Sequence, residues 1–312
     1  MSSFRKRLVG IPSMVWNHCR PRVFAYRMHR SKQPAGWVHT LSEEELEKEI
    51  RLWYHAECGR RLDLKHPRSF SEKMQWLKVH DNDPRKTAFS DKLTVRDEVA
   101  MKVGKQVLTQ VYCSWDNPSS ITFDGLPPRF FLKCNNGSGM MLRIEELSNV
   151  CMDDIRDKVA SWFSCDFASH FFEMHYAGIM PQAYAEEWID DIEWEYQAWC
   201  FSGKVEFIAA IHDPHGVNEK QFFSPKWEKL PFVSSPPEYG GIIDRPGCLE
   251  QIVKYSESLS DGFAFVRVDW YGVHHGLMFS EMTFTPAYGI VKWVPASYDM
   301  KLGELIHLPI EG

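Results

Sequence analysis

The sequence predicts an α+β fold, helical in its first third and rich in strands beyond it. Capped, amphipathic helical patterns follow one another up to Gly104, and after them the texture changes to short runs of aromatic and β-branched residues. With 312 residues, 44% hydrophobic and 14% aromatic, the chain is able to bury a sizeable core in one large domain or in two or three lobes. No internal repeat or low-complexity segment is present, and "PFVSSPPEYGG" reads as a Pro/Gly-rich loop.

Residues 1–42 form a basic arm. No acidic residue precedes Glu43, whereas Arg5, Lys6, Arg7, Arg20, Arg22, Arg27, Arg30 and Lys32 all do, in a chain of net charge -6. Leu8, Val9, Ile11, Trp16, Val23, Phe24 and Tyr26 are interleaved with these cations, a composition suited to an anionic membrane surface and equally to packing on the protein's own acidic body. The acidic remainder speaks against nucleic acid.

"LSEEELEKEIRLWYHAECG" opens on a Ser42 cap, carries Glu in its first turn and spaces Leu46, Ile50 and Trp53 along one helical face. "SFSEKMQWLKVHD" and "SDKLTVRDEVAMKVG" read as two further helices, the second ending at Gly104. "RFFLKCNN", "QAYAEEWI", "EYQAWCFSG", "KVEFIAAIH" and "AFVRVDWYG" then read as strands. No apolar run reaches the roughly 18 residues of a membrane span, and the N-terminus lacks a signal peptide's apolar core, so a cytoplasmic body is expected. The eight cysteines form no CxxC pair and are expected to be reduced.

Three segments carry chemistry. In "FVRVDWYGVHHGLMFSEMTFTP", Arg267 and Asp269 are two apart, as are Glu281 and Thr283, so a hairpin across "YGVHHGL" would gather four polar groups on one face. Two neighbouring carboxylates repel unless a cation lies between them, which suits Mg²⁺; a structural Arg–Asp pair beside a surface Glu is the alternative. In "RFFLKCNNGSGMML", Lys133 precedes a loop of Asn135, Asn136, Gly137, Ser138 and Gly139, whose N–H groups are able to approach phosphate oxygens. That loop matches neither the Walker A nor the GxGxxG pattern, and read alone it is also an ordinary turn. In "PQAYAEEWIDDIEWEYQAWCFSGKVEF", Glu186, Glu187 and Ile189 resemble an adenine hinge and Glu195 opens the next strand, or else the segment is an acidic hairpin turn. No Ser-His-Asp or Cys-His spacing competes, and His274 and His275 read as loop residues rather than zinc ligands.

The ordered set "HPRSFSEKMQWLKVHDNDP", "SDKLTVRDEV", "FFLKCNNGSG", "AEEWI", "CFSGKVEFI", "VRVDWY" and "EMTFTP" resembles the TupA-like ATP-grasp proteins of teichuronopeptide and other surface-polysaccharide biosynthesis, over about residues 60–305. The resemblance implies ATP clamped between two α+β lobes: a mainly helical part at 43–125, a lid subdomain at 126–190 and a catalytic subdomain at 191–312. It implies that Lys92 and Lys133 hold the nucleotide phosphates under a lid of Asn136, Gly137, Ser138 and Gly139. Glu186, Glu187 and Ile189 would frame the adenine, and Glu195 the ribose. Asp269, Glu281 and Thr283 would hold Mg²⁺, and Arg267 with Lys133 would serve catalysis. Gln197 departs from a family Lys, and Thr283 from the metal-binding Asn of many ATP-grasp enzymes.

The implied activity is that of an ATP- and Mg²⁺-dependent carboxylate-amine ligase. It would join an amine to a carboxylate-bearing glycan, a uronic acid above all, or to an amino acid. A glycosyltransferase reading has only Asp190 and Asp191 to offer as a DxD-like element, and a non-catalytic ATP-binding protein is the third reading.

Overall fold

The computed structural model describes residues 21–309 apart from 191, 193, 213–217, 235–237 and 275. Helix α1 (Pro21–Arg30) buries Val23, and Arg30 donates to the Ser169 carbonyl at 2.6 Å while its guanidinium lies over Trp37 and Phe172. The arm's second half thus packs on the body, and the expectations for its first 20 residues lie outside the described residues. Helices α2 (Glu43–Cys58) and α3 (Phe70–His80) each begin with a reciprocal capping box, Ser42 with Glu45 and Ser69 with Glu72, each cap being worth about 1 kcal/mol. Gly59 ends α2 in the left-handed conformation at φ 73°.

The stretch "SDKLTVRDEVAMKVG" is not one helix. Helix α4 (Arg85–Ser90) stops at Asp91, whose carboxylate takes the Leu93 N–H at 2.9 Å and the Thr94 hydroxyl at 2.9 Å, so the chain turns before α5 (Val95–Lys102). Lys92 therefore sits on a turn. A short strand that the sequence pattern did not reveal follows, β1 (Val111–Trp115), then β2 (Phe130–Cys134), β3 (Met141–Ile144), α6 (Met152–Phe163), α7 (Phe167–Phe171) and β4 (Ala183–Glu187). These strands form an antiparallel sheet in the order β1-β4-β2-β3. Ile155, Val159 and Trp162 of α6 share a core with Phe130, Leu132, Ala183 and Ala185, leaving Phe131, Lys133, Tyr184 and Glu186 on the opposite face.

The larger sheet contains β5 (Trp194–Phe201), β6 (Lys204–His212), β7 (Glu219–Phe223), β9 (Phe265–Val273) and β10 (Gly276–Thr283), in the antiparallel order β10-β9-β5-β6-β7. A minor pair joins β8 (Val233–Ser234) to β11 (Trp293–Val294). One face of the larger sheet packs Ala198, Cys200, Val266, Val268 and Trp270 against Ile252 and Leu259 of α8 (Leu249–Ser260) and Val95 and Val99 of α5. The other face divides. Trp199, Phe201, Phe207, Phe222 and Phe265 cluster with Phe70 of α3, whereas Glu195, Gln197, Arg267, Asp269 and Tyr271 form a polar half. Helix α9 (Tyr298–Glu304) closes the chain on α3, where Asp299 accepts from the Ser71 N–H and hydroxyl and pairs with Arg60.

Candidate active site

Polar groups of the two sheets and of the α4–α5 turn converge in one cleft. On β9, Arg267 grips Asp269 through two bonds, Nε to Oδ1 at 2.7 Å and Nη2 to Oδ2 at 2.5 Å, and Nη2 also reaches the Thr283 hydroxyl at 3.2 Å. The register puts Glu281 of β10 opposite Asp269 and Thr283 opposite Arg267, so the spacing of two read from the sequence does gather all four groups. Burial pushes the Asp269 carboxyl up to about 6 despite its arginine partner. Burial also acts on Glu281, but Lys92 and Arg267 outweigh it and hold that carboxyl below its usual range.

Lys92 links two parts of the cleft. Its ammonium lies 3.3 Å from Glu281 and donates to the Gly137 carbonyl at 2.7 Å, tying the Asn/Gly loop to the metal-type carboxylates. The loop's base is rigid. Asn135 donates to Asp91 at 3.0 Å and to the Met180 carbonyl at 3.1 Å, and accepts from the Gln182 N–H at 2.7 Å; Asn136 accepts from Cys134 Sγ at 2.9 Å. A Cβ on Gly137 would stand 2.9 Å from the Met140 and Phe167 side chains, so a larger residue there would have to displace both. Of this loop only Ser138 and Gly139 are exposed.

The opposite wall is β2 and β4. Lys133 pairs with Glu186 at 2.5 Å, and Glu186 also meets Arg96 at 3.2 Å and the Thr109 hydroxyl at 2.5 Å. Burial raises the Glu186 carboxyl, yet Lys133, Thr109 and Arg96 together bring it below its usual range. The Glu186 side chain thus holds Lys133. Glu186, Glu187 and Ile189 border a narrow slot of about 20 Å³, together with Lys133, Phe131, Met141, Tyr271 and Phe279. The Glu187 N–H is bonded to the Gln110 carbonyl at 2.8 Å, which leaves the backbone beyond it for any hinge contact. Glu195 accepts from Gln197 at 2.8 Å, and burial together with Asp269 pushes its carboxyl up to about 7.

Sequence reasoning missed Arg96, Thr109, Tyr271 and Lys220. Lys220 was recoverable in principle, because β7 follows the β5–β6 hairpin and its alternation puts Lys220 on the polar face. Asp190 lies apart from the cluster, exposed and paired with Arg129 at 2.9 Å, and Asp191 lies outside the described residues. A cleft of about 840 Å³ opens beside Trp194, Tyr196 and Cys248 on the other face of the sheet and is lined by none of the charged cluster. Another group able to hold a metal, Glu43, Glu47 and His80, lies on α2 and α3. The cleft's own set of Asp269, Glu281 and the Thr283 hydroxyl offers only oxygen donors, and a divalent cation there would offset the burial and the Glu281 repulsion that raise the Asp269 carboxyl. That chemistry fits Mg²⁺.

A family model described as TupA-like ATP-grasp matches residues 72–307. Among curated proteins none matches the chain. Among solved structures, the D-alanine–D-alanine ligase of Bacillus anthracis is 15% identical over 70% of this chain and 65% of its own, with a TM-score of 0.39. The L-amino acid ligase of Bacillus licheniformis is 12% identical over 85% of this chain and 62% of its own, with a TM-score of 0.48. The ATP-grasp ligase PsnB, complexed with a phosphomimetic precursor variant, Mg and ADP, is 11% identical over 76% of this chain and 65% of its own, with a TM-score of 0.41. This chain spans less than two thirds of the length of each of these three.

Proposed function

The chain belongs to the TupA-like ATP-grasp family, and from that premise we propose that it is an ATP- and Mg²⁺-dependent ligase joining a carboxylate to an amine. One observation carries the reading. Lys92, Lys133 and Arg267 reach one cleft from a turn and two sheets, each held by a carboxylate, beside oxygen donors and with no activated nucleophile in the cluster. Such a site neutralises and positions charge, which is what phosphoryl transfer requires of a protein.

In this reading Lys133, aimed by Glu186, and Lys92 meet the nucleotide phosphates, and the N–H groups of the Gly137–Gly139 turn add neutral donors. Glu281, Asp269 and Thr283 would hold Mg²⁺, which when bound offsets phosphate charge. A substrate carboxylate oxygen attacks the γ-phosphorus as the bond to the ADP oxygen breaks, giving an acyl phosphate. The amine nitrogen then bonds the acyl carbon, phosphate departs with the electron pair, and the nitrogen loses a proton. Arg267, fixed by Asp269, faces the charge on the transferred group.

The resemblance to proteins of surface-polysaccharide assembly supports a uronic-acid carboxylate as the acid and an amino acid as the amine. Docking of the basic arm on an anionic membrane surface belongs to the same reading; among the described residues no helix is long and apolar enough to cross a membrane. Hydroxylamine tests the chemistry. With ATP and a uronic-acid glycan it should yield a hydroxamate and ADP in equal amounts, and Arg267→Lys should suppress trapping while the protein stays folded. ADP formation with no hydroxamate from any stimulating carboxylate would exclude the ligase.

A further inference from the structure

The cleft of about 840 Å³ beside Trp194 has no part in the scheme above. Strand alternation sets it back to back with the charged cluster: along β5, Glu195 and Gln197 turn toward the Asp269 face, whereas Trp194 and Tyr196 turn to the face that packs on α8. Gly272 of β9 stands opposite Trp194, and a Cβ there would lie 2.8 Å from the Tyr196 ring. Glycine lets that ring lie across the strand. The turn into α8, Pro246 to Cys248, also lines the cleft, and Ile192 is the one described residue that borders both it and the slot beside Glu187.

The lining decides the class of ligand. Among the described residues that line the cleft there is no lysine or arginine, so a phosphate or carboxylate would be desolvated there without a partner. The Asp190 carboxylate is already held by Arg129 at 2.9 Å, so a cation gains little. There remain two aromatic side chains, rooted about 7 Å apart on one strand, and the exposed hydrogen-bonding side chains of Gln251 and His274. A pyranose matches that combination, because its C–H face packs on the negative face of an aromatic ring while its hydroxyls meet polar groups. The rings are held in place before any ligand arrives: Trp194 packs on His212 and Tyr239 with centroids at 5.0 and 5.4 Å, and Tyr196 meets Trp227 edge-on at 6.0 Å. Little freedom is then lost on binding. We propose that this cleft binds an uncharged stretch of oligosaccharide more than one sugar ring long, at a site separate from the nucleotide cleft. Such a site would exist whether or not the charged cluster acts as a ligase.

Calorimetric titration of the full chain with cellohexaose, chitohexaose, maltohexaose and the charged hexagalacturonate, each with and without Mg²⁺-ATP, tests this. At least one neutral oligomer should bind, more tightly than hexagalacturonate and with the same affinity whether or not Mg²⁺-ATP is present. Trp194→Ala should weaken that binding about tenfold or more, Trp194→Phe should keep most of it, and Gln251→Ala should weaken it severalfold with Tm unchanged because the side chain is exposed. All three variants should bind Mg²⁺-ATP as the wild type does. Wild-type oligosaccharide affinity in Trp194→Ala, or in Gln251→Ala should the first variant fail to fold, overturns the site. So does the absence of binding by every neutral oligomer, tighter binding of hexagalacturonate than of all three, or displacement of the saccharide by Mg²⁺-ATP, which would put it in the charged cleft. Failure of the wild type to bind Mg²⁺-ATP removes the ligase reading and leaves the saccharide site standing.

Discussion

Asp269 and Glu281 stand directly opposite each other on β9 and β10, yet their carboxyls are shifted in opposite directions, Asp269 upward to about 6 and Glu281 below its usual range. Burial raises both, and the difference lies in the cations beside Glu281, Lys92 above all and then Arg267. Asp269 is 1% exposed with both oxygens held by Arg267, whereas the Glu281 side chain is 30% exposed and has Lys92 beside it. Glu281→Gln should therefore leave Tm nearly unchanged while removing the extra thermal stabilisation that Mg²⁺ adds to ATP. Asp269→Asn should remove it as well, and cost on the order of 3 kcal/mol because the buried Arg267 loses its bidentate partner. A wild-type Mg²⁺ response in both variants would place the metal elsewhere.

Lys133 and Glu186 allow a cleaner separation of stability from function. Lys133→Met leaves Glu186 buried with Arg96 and Thr109 as its remaining partners, so it should destabilise by about 1–3 kcal/mol and weaken ATP binding. Adding Glu186→Gln removes the orphaned charge. The double variant should regain much of the lost stability, since the two side chains touch and their effects do not add, yet should regain none of the ATP affinity. Denaturant unfolding paired with nucleotide titration reads both. Recovery of binding together with stability would mean that Lys133 acts only as a structural partner.

His175 sets a pH dependence apart from the cleft chemistry. It is partly exposed, packed against Tyr176 and Phe284, but its Nε2 is buried without a hydrogen-bond partner, and burial, with Lys86 and Lys78 adding to it, pushes its pKa down to about 3. The folded state therefore refuses a proton that the unfolded chain accepts near the ordinary value of 6.5. Stability on this account is fully present above pH 6.5 and falls by about 1.4 kcal/mol per pH unit toward pH 3. Urea midpoints of the wild type and His175→Gln, measured from pH 7.5 to about 4.5, should diverge in slope as pH falls, the variant losing less. Parallel slopes would show that His175 takes up its proton in the folded protein.

Local signals were legible in the sequence, and long-range pairings were not. Ser42 announces its helix because a capping box is complete within four residues, and Arg267, Asp269, Glu281 and Thr283 reveal a shared face because strand periodicity is strict. The Asp91 turn that splits α4 from α5 uses equally local bonds, but they compete with a good helical pattern and only the folded chain decides between them. Strand β1 is five residues with mixed burial, too short to stand out, and it contacts β4 some 70 residues later. For the same reason the partners of Glu186, Arg96 at a separation of 90 residues and Thr109 at 77, follow from topology alone. Lys220 shares the Glu195 face because β6 lies between β5 and β7, and it was missed because β7 was not among the strands read from the sequence.

The outer face of α1 yields the last prediction. Val23 is buried and Arg30 is tied to Ser169, while Phe24 and Met28, one helical turn apart, are 64% and 46% exposed beside the exposed Arg22, Arg27 and Lys32. Two apolar side chains one turn apart, flanked by cations and facing solvent, suit the headgroup region of an anionic bilayer. Binding to vesicles containing phosphatidylglycerol should exceed binding to neutral phosphatidylcholine vesicles and fall as salt rises past about 0.1 M, where screening sets in over about 10 Å. Phe24→Ser with Met28→Ser should weaken vesicle binding without lowering Tm, because neither side chain supports the core, and ATP binding should be untouched. Deleting the first 20 residues separates their charge from the helix face: a partial loss means that both contribute, and a complete loss leaves α1 as a packing element only. Equal binding to neutral and anionic vesicles, or none at low salt, would remove the membrane from the account and leave the body as the arm's sole partner.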